Sequence, residues 1–142
     1  MQNQNGYPAP CRSLPSGTYL VSRSKLAGPG RHFGVLIKGL FPYRPECVFQ
    51  LTADSRYEII TFDTFSHGRE VIVHEGKPPQ EAVQVMQRAR QLTASHPQYD
   101  LFANNCEHAA RGAFSGRRVS GQIDALLLIG LALIVLAVVC IR

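Results

Sequence analysis

Residues 31–39 read Arg-His-Phe-Gly-Val-Leu-Ile-Lys-Gly, and their alternation decides the fold class. Phe33, Val35 and Ile37 fall on one side of an extended chain, with His32, Gly34, Leu36 and Lys38 on the other. That period of two marks a β-strand. The same habit recurs on either side of it. Residues 18–22 (TYLVS) form an earlier short strand, separated by a turn that holds Gly28, Pro29 and Gly30. Residues 47–52 set Phe49 and Leu51 against Val48, Gln50 and Thr52. Residues 56–61 and 69–74 are further β-rich runs with FDTFSHG between them. After Pro78 and Pro79 the period changes: Ala82, Met86, Ala89 and Thr93 recur at helical spacing over residues 80–95. A second helix is expected from Cys106 to about Phe114. Strands first and helices afterwards predict an α+β domain, a small antiparallel sheet with helices packed on it.

The chain has 142 residues, the length of one domain. Residues 125–141 contain no polar side chain if Cys140 is counted as apolar. At 1.5 Å per residue that run reaches about 25 Å, near the lower limit for crossing a bilayer. A C-terminal transmembrane anchor is the expectation. Asp124 bounds it, and Arg117 with Arg118 lie on the side that the positive-inside rule keeps in the cytosol. The expected organisation is therefore a flexible N-terminus over residues 1–13, a domain over 14–114, a linker over 115–124 and the anchor over 125–141.

Lys and Arg outnumber Asp and Glu by 15 to 10, a net charge of +5. The basic residues form no aromatic-interleaved stripe of the kind that cradles a nucleic acid. Arg111, Arg117 and Arg118 precede the apolar run, where anionic lipid head groups would meet them. Membrane lipid, and not nucleic acid, is the expected partner. Cys11, Cys47, Cys106 and Cys140 make no CxxC pair, and the five histidines make no HExxH. No metal site and no cofactor are expected. The opening MQNQNGYPAP lacks the basic and apolar regions of a secretory signal.

One segment carries chemistry. YDLFANNCEHA, residues 99–109, places Cys106 at an expected helix start, with Asn104 as the cap and Glu107 as its return partner. A cysteine in a first helical turn gains thiolate character, and the exposed N–H groups there suit an oxyanion. The thiol needs a base, and His32 begins the alternating strand. By parity His32 and Gln50 both face away from the apolar positions of their strands, so adjacent strands would bring them to one site.

NNCEHA at 104–109 resembles the NCEHF box of the lecithin:retinol acyltransferase-like family. RHFGVLIKG at 31–39 is similar to that family's HYGIYLG strand, and residues 48–73 to its second strand and the FxxGxxV stretch that follows. The resemblance implies a permuted papain-like α+β fold related to the NlpC-type peptidases. It implies Cys106 as nucleophile and His32 as general base. Gln50 stands in a V-x-H-x context where the family commonly has a second histidine, and a glutamine orients an imidazole without carrying charge. Ala109 replaces the phenylalanine of the box. The implied activity is acyl transfer on lipids, of phospholipase or acyltransferase type, through a thioester acyl-enzyme at a membrane. A thiol amidase or peptidase using the same pair, and a tethered interaction domain with a degenerate site, are the competing readings.

Overall fold

The computed structural model describes residues 13–40 and 46–140. The expectation of a flexible N-terminus falls, apart from Ser13, outside the described residues. Five strands form one sheet: β1 (Gly17–Ser24), β2 (Arg31–Lys38), β3 (Cys47–Leu51), β4 (Tyr57–Thr61) and β5 (Val71–Lys77). Their order is β4-β3-β2-β1-β5, with every neighbouring pair antiparallel. The helices are α1 (Phe62–Ser66), α2 (Ala82–Ser95), α3 (Cys106–Ser115) and α4 (Gly121–Cys140), with a 3₁₀ turn at Pro79–Glu81 ahead of α2. The expected α+β class with a small antiparallel sheet is what forms.

Period-two alternation drives two separate cores. On one face Leu20, Phe33, Val35 and Phe49 pack with Val85 and Ala89 of α2 and Ala110, Ala113 and Phe114 of α3. On the other, Tyr19, Val21, Leu36 and Val48 pack with Phe62 and Phe65 of α1 and with Val71. The second core arises from FDTFSHG, which reads as a mere separator in the sequence. Thr61 caps it by accepting from the Thr64 N–H, and His67 ends it in the left-handed region at φ 49°. A single turn has too few positions to display a period, so its sequence gives no helical signal. Gly34 makes the close approach of α1 feasible, because a Cβ there would lie 3.0 Å from Phe65 Cε2 and 2.5 Å from Val48 Cγ1.

The register β2 to β3 pairs Gly34 with Gln50 and Val35 with Phe49. His32, two residues before Gly34, thus shares a face with Gln50, as parity predicts. Opposite His32 on the other neighbour stands Arg23 of β1.

The apolar helix α4 begins at Gly121, four residues before the uninterrupted run, and its 20 residues span about 30 Å. It is long and apolar enough to cross a membrane, and nearly all of it lies off the domain. The expected linker over 115–124 shrinks accordingly. α3 runs to Ser115, Gly116 closes it at φ 78°, and α4 starts five residues later.

Candidate active site

Asn105, not Asn104, caps α3. Its Oδ1 accepts from the backbone N–H of Glu107 at 2.9 Å and of His108 at 3.0 Å, while the Asn105 N–H donates back to His108 Nδ1 at 3.4 Å. The capping pair expected between Asn104 and Glu107 is therefore shifted by one residue. Two asparagines in tandem offer two caps, and tertiary partners choose between them. Asn104 Nδ2 donates to the carbonyls of Pro97 at 2.9 Å and Gln98 at 2.6 Å, and its Oδ1 accepts from Arg118.

This arrangement changes the expected oxyanion donors. The cap occupies the N–H groups of Glu107 and His108, and the Ala109 N–H donates to the Asn105 carbonyl. Among the described residues, Cys106's own N–H is left as the first-turn donor.

Glu107, freed from capping α3, caps α4 instead. Its side chain is almost fully buried. Oε1 accepts from Arg111 Nε at 3.0 Å and the Gly121 N–H at 3.2 Å. Oε2 accepts from Ser120 Oγ at 2.8 Å, the Gln122 N–H at 3.2 Å and Gln122 Nε2 at 3.3 Å. Burial pushes this carboxyl up, but the hydrogen bonds from Ser120, Arg111 and Gln122 outweigh it and hold the group below the ordinary range. A carboxylate at a helix N-terminus also opposes the positive end of the helix dipole. Gln122 completes the junction by clasping the main chain of Arg31: the Arg31 N–H donates to Oε1 at 2.9 Å, and Nε2 donates to the Arg31 carbonyl at 3.2 Å.

Cys106 Sγ faces the start of β2, 3.9 Å from the Arg31 carbonyl. Burial pushes the thiol up, opposed by the N–H groups of Phe33 and Glu107 and by the Lys25 ammonium. The thiolate expected from the helix N-terminus is thus not the favoured resting form, because only 4% of the residue is exposed to solvent. His32 sits between the two β2 residues whose main chain meets the sulfur. Its Nε2 lies 2.8 Å from Gln50 Oε1, and its ring stands 5.7 Å from that of Phe65. An amide oxygen only accepts, so Nε2 carries the proton and Nδ1 keeps its lone pair. Burial lowers the His32 pKa, the Gln50 hydrogen bond raises it, and Arg23 and Lys25 lower it further. Among the described residues no hydrogen bond joins Sγ to the imidazole. The resting pair is a neutral thiol and a neutral imidazole.

Arg23 is the neighbour that sequence reading misses. It is buried, its Nε donates to the Phe65 carbonyl, its NH1 donates to the Ser24 carbonyl at 3.0 Å, and its guanidinium lies 5.4 Å from the Phe65 ring centre. Its signal was a lone charge within the apolar strand TYLVSRS.

A cleft of about 280 Å³ borders Cys106 and is lined by Lys25, Tyr99 and Leu101 together with the start of α4. A larger cavity of about 760 Å³ lies between β3, β4 and α2 and contains none of Cys106, His32 or Gln50. Among the described residues no three His, Cys, Asp or Glu side chains converge as a metal site would need.

The family model described as lecithin retinol acyltransferase matches residues 46–119. The match takes in Gln50 and Cys106 and runs from the start of β3 to the approach to α4; His32 precedes it. Comparison with curated proteins and with solved structures gave no match.

Proposed function

Because the chain belongs to the lecithin retinol acyltransferase family, we propose that it is a membrane-anchored enzyme transferring acyl groups of lipids through a thioester on Cys106. The family association supports acyltransferase or phospholipase-like chemistry, and the apolar α4 is compatible with membrane anchoring. The observation that carries the reading is the 2.8 Å contact between His32 Nε2 and Gln50 Oε1. Gln50 holds Nε2–H, so the lone pair sits on Nδ1 of an imidazole flanked by the two residues that meet the Cys106 sulfur.

In this reading Nδ1 takes the thiol proton as Sγ attacks the ester carbonyl. Catalytic hydrogen bonds commonly tighten only when substrate is bound, so this contact forms with the ester in place. The Cys106 N–H faces the developing oxyanion. The ester C–O bond breaks, the imidazolium returns its proton to the departing alkoxide, and an alcohol leaves with a thioester on Cys106. Water or an acceptor lipid then gives its proton to Nδ1 and attacks the thioester. The C–S bond breaks, and the proton goes to the thiolate. Gln50 orients the imidazole throughout. Arg117 and Arg118, just ahead of α4, support a cytosolic domain in this reading, because positive charge beside a span favours that side.

The test is direct. The detergent-solubilised full chain is incubated with mixed phospholipid vesicles, and peptides containing Cys106 are examined by mass spectrometry. An acyl adduct on Cys106, lost in Cys106→Ala and reduced in His32→Ala, is the expected result. Absence of the adduct, or cleavage of amides with no lipid acylation, overturns the proposal.

A further inference from the structure

The cleft above Cys106 is only partly made by the domain. Gln122, Ile123, Leu126 and Ile129 of α4 line it together with residues of the domain. Leu126 lies three or four residues from each of the other three, so the four gather on one helix face. Exposure grows along that face, from 7% at Ile123 to 58% at Leu126 and 57% at Ile129, so the helix leaves the domain as the cleft opens. The junction is fixed by four hydrogen bonds from residues 120–122 to Glu107 and by the Gln122 clasp on Arg31. The wall of the cleft and the membrane-crossing helix are therefore one rigid element.

We infer that the first turns of α4 are the acyl-chain subsite, with Leu126 and Ile129 forming the surface along which the chain of a lipid ester runs to the Cys106 sulfur. This inference rests on the acyl-transfer reading above and adds where the chain binds. Its size supports it: about 280 Å³ is nearly twice the ~150 Å³ that admits a benzene ring, enough for the leading part of a chain but not a whole one. The remainder continues along the exposed face of α4. A chain lying there stays against hydrocarbon, which avoids a transfer into water worth about 0.8 kcal/mol per methylene. Lys25, which also lines the cleft, would draw an anionic head group toward it.

The experiment fills the wall and compares a long ester with a short one. Full-length protein in detergent micelles is presented with p-nitrophenyl palmitate or p-nitrophenyl butyrate, and Cys106 acylation is followed by nitrophenolate release and mass spectrometry. Leu126→Trp and Ile129→Trp are expected to slow palmitoylation about tenfold or more while leaving butyrylation within about twofold, the scale on which apolar pockets discriminate. Leu131→Trp, on the opposite face of the same helix and outside the cleft, is expected to change neither. A palmitate-to-butyrate ratio in the wall variants within about twofold of wild type overturns the inference and leaves the acyl-transfer reading standing. Failure of the wild type to acylate Cys106 with either ester overturns both. A measurement independent of turnover uses full-length Cys106→Ala with photoreactive palmitic acid. Adducts concentrated at residues 123–129 are expected, and adducts spread evenly over α4 refute the subsite.

Discussion

Replacing Glu107 by Gln keeps the side chain's size and removes its charge. One of the two carboxylate oxygens becomes an NH₂ group and must face donors. Set toward Oε1's partners, it meets Arg111 Nε and the Gly121 N–H; set toward Oε2's, it meets Ser120, the Gln122 N–H and Gln122 Nε2. Either way at least two donors lose their acceptor, at about 1–3 kcal/mol each when buried. Arg111 retains Glu75 at 3.6 Å and Ser120 can rotate to accept, so the lower part of the range applies, about 3 kcal/mol in all. That is a large part of the stability of a small domain and corresponds to a fall of about 10 °C in Tm. Urea unfolding in detergent micelles, followed by tyrosine fluorescence, measures it. The pH dependence gives a second check. The folded carboxyl lies below its ordinary value, so its contribution is complete above about pH 4.3 and is lost as pH falls through the folded value. The gap between wild type and Glu107→Gln should accordingly narrow on acidification below that point. A Glu107→Gln protein within about 1 kcal/mol of wild type at pH 7, or a gap that does not change with acid, would refute the capping of α4 by Glu107.

Three further outcomes are expected. In a variant whose other cysteines are serine, iodoacetamide labelling of Cys106 should be slow at pH 7 and rise only at alkaline pH, because burial disfavours the thiolate; rapid labelling at neutral pH contradicts this. Acylation of Cys106 should decline below about pH 6.5 as His32 takes a proton, with no second limb near neutrality; the folded His32 pKa is lowered, so the loss is displaced to the acid side of an ordinary imidazole. Gln50→Ala should lower acyl-enzyme formation more than it lowers Tm, and Gln50→His should preserve or raise it, whereas two variants within about twofold of wild type would remove Gln50 from the site.

β2 and β3 were legible because they alternate, the other strands because they are β-rich, and the face shared by His32 and Gln50 followed from parity alone. α1 was hidden because one helical turn shows no period, and with it went the second core and the aromatic surface beside His32. The cap at Asn105 was missed by one position since Asn104 and Asn105 carry equal local signals, separated only by tertiary partners at Pro97, Gln98 and Arg118. Gln122 gave no sign of its place. It meets Arg31 across 91 positions, and no window on the sequence spans that distance. The thiolate expected of Cys106 rested on the helix N-terminus, which local sequence reveals; the burial that opposes it depends on how the whole domain packs.

The locked junction between α3 and α4 bears on how such an enzyme would meet its substrate. A catalytic head on a loose tether samples a volume and collides with lipid from many angles. Here the start of α4 is bonded to the same helix that begins with Cys106, so with α4 across a bilayer the sulfur would be held at one height and one tilt. Encounters would then be governed by lateral diffusion in the adjoining leaflet. Turnover would follow the mole fraction of substrate in the surface, and diluting the leaflet with inert lipid would slow the reaction at constant bulk concentration.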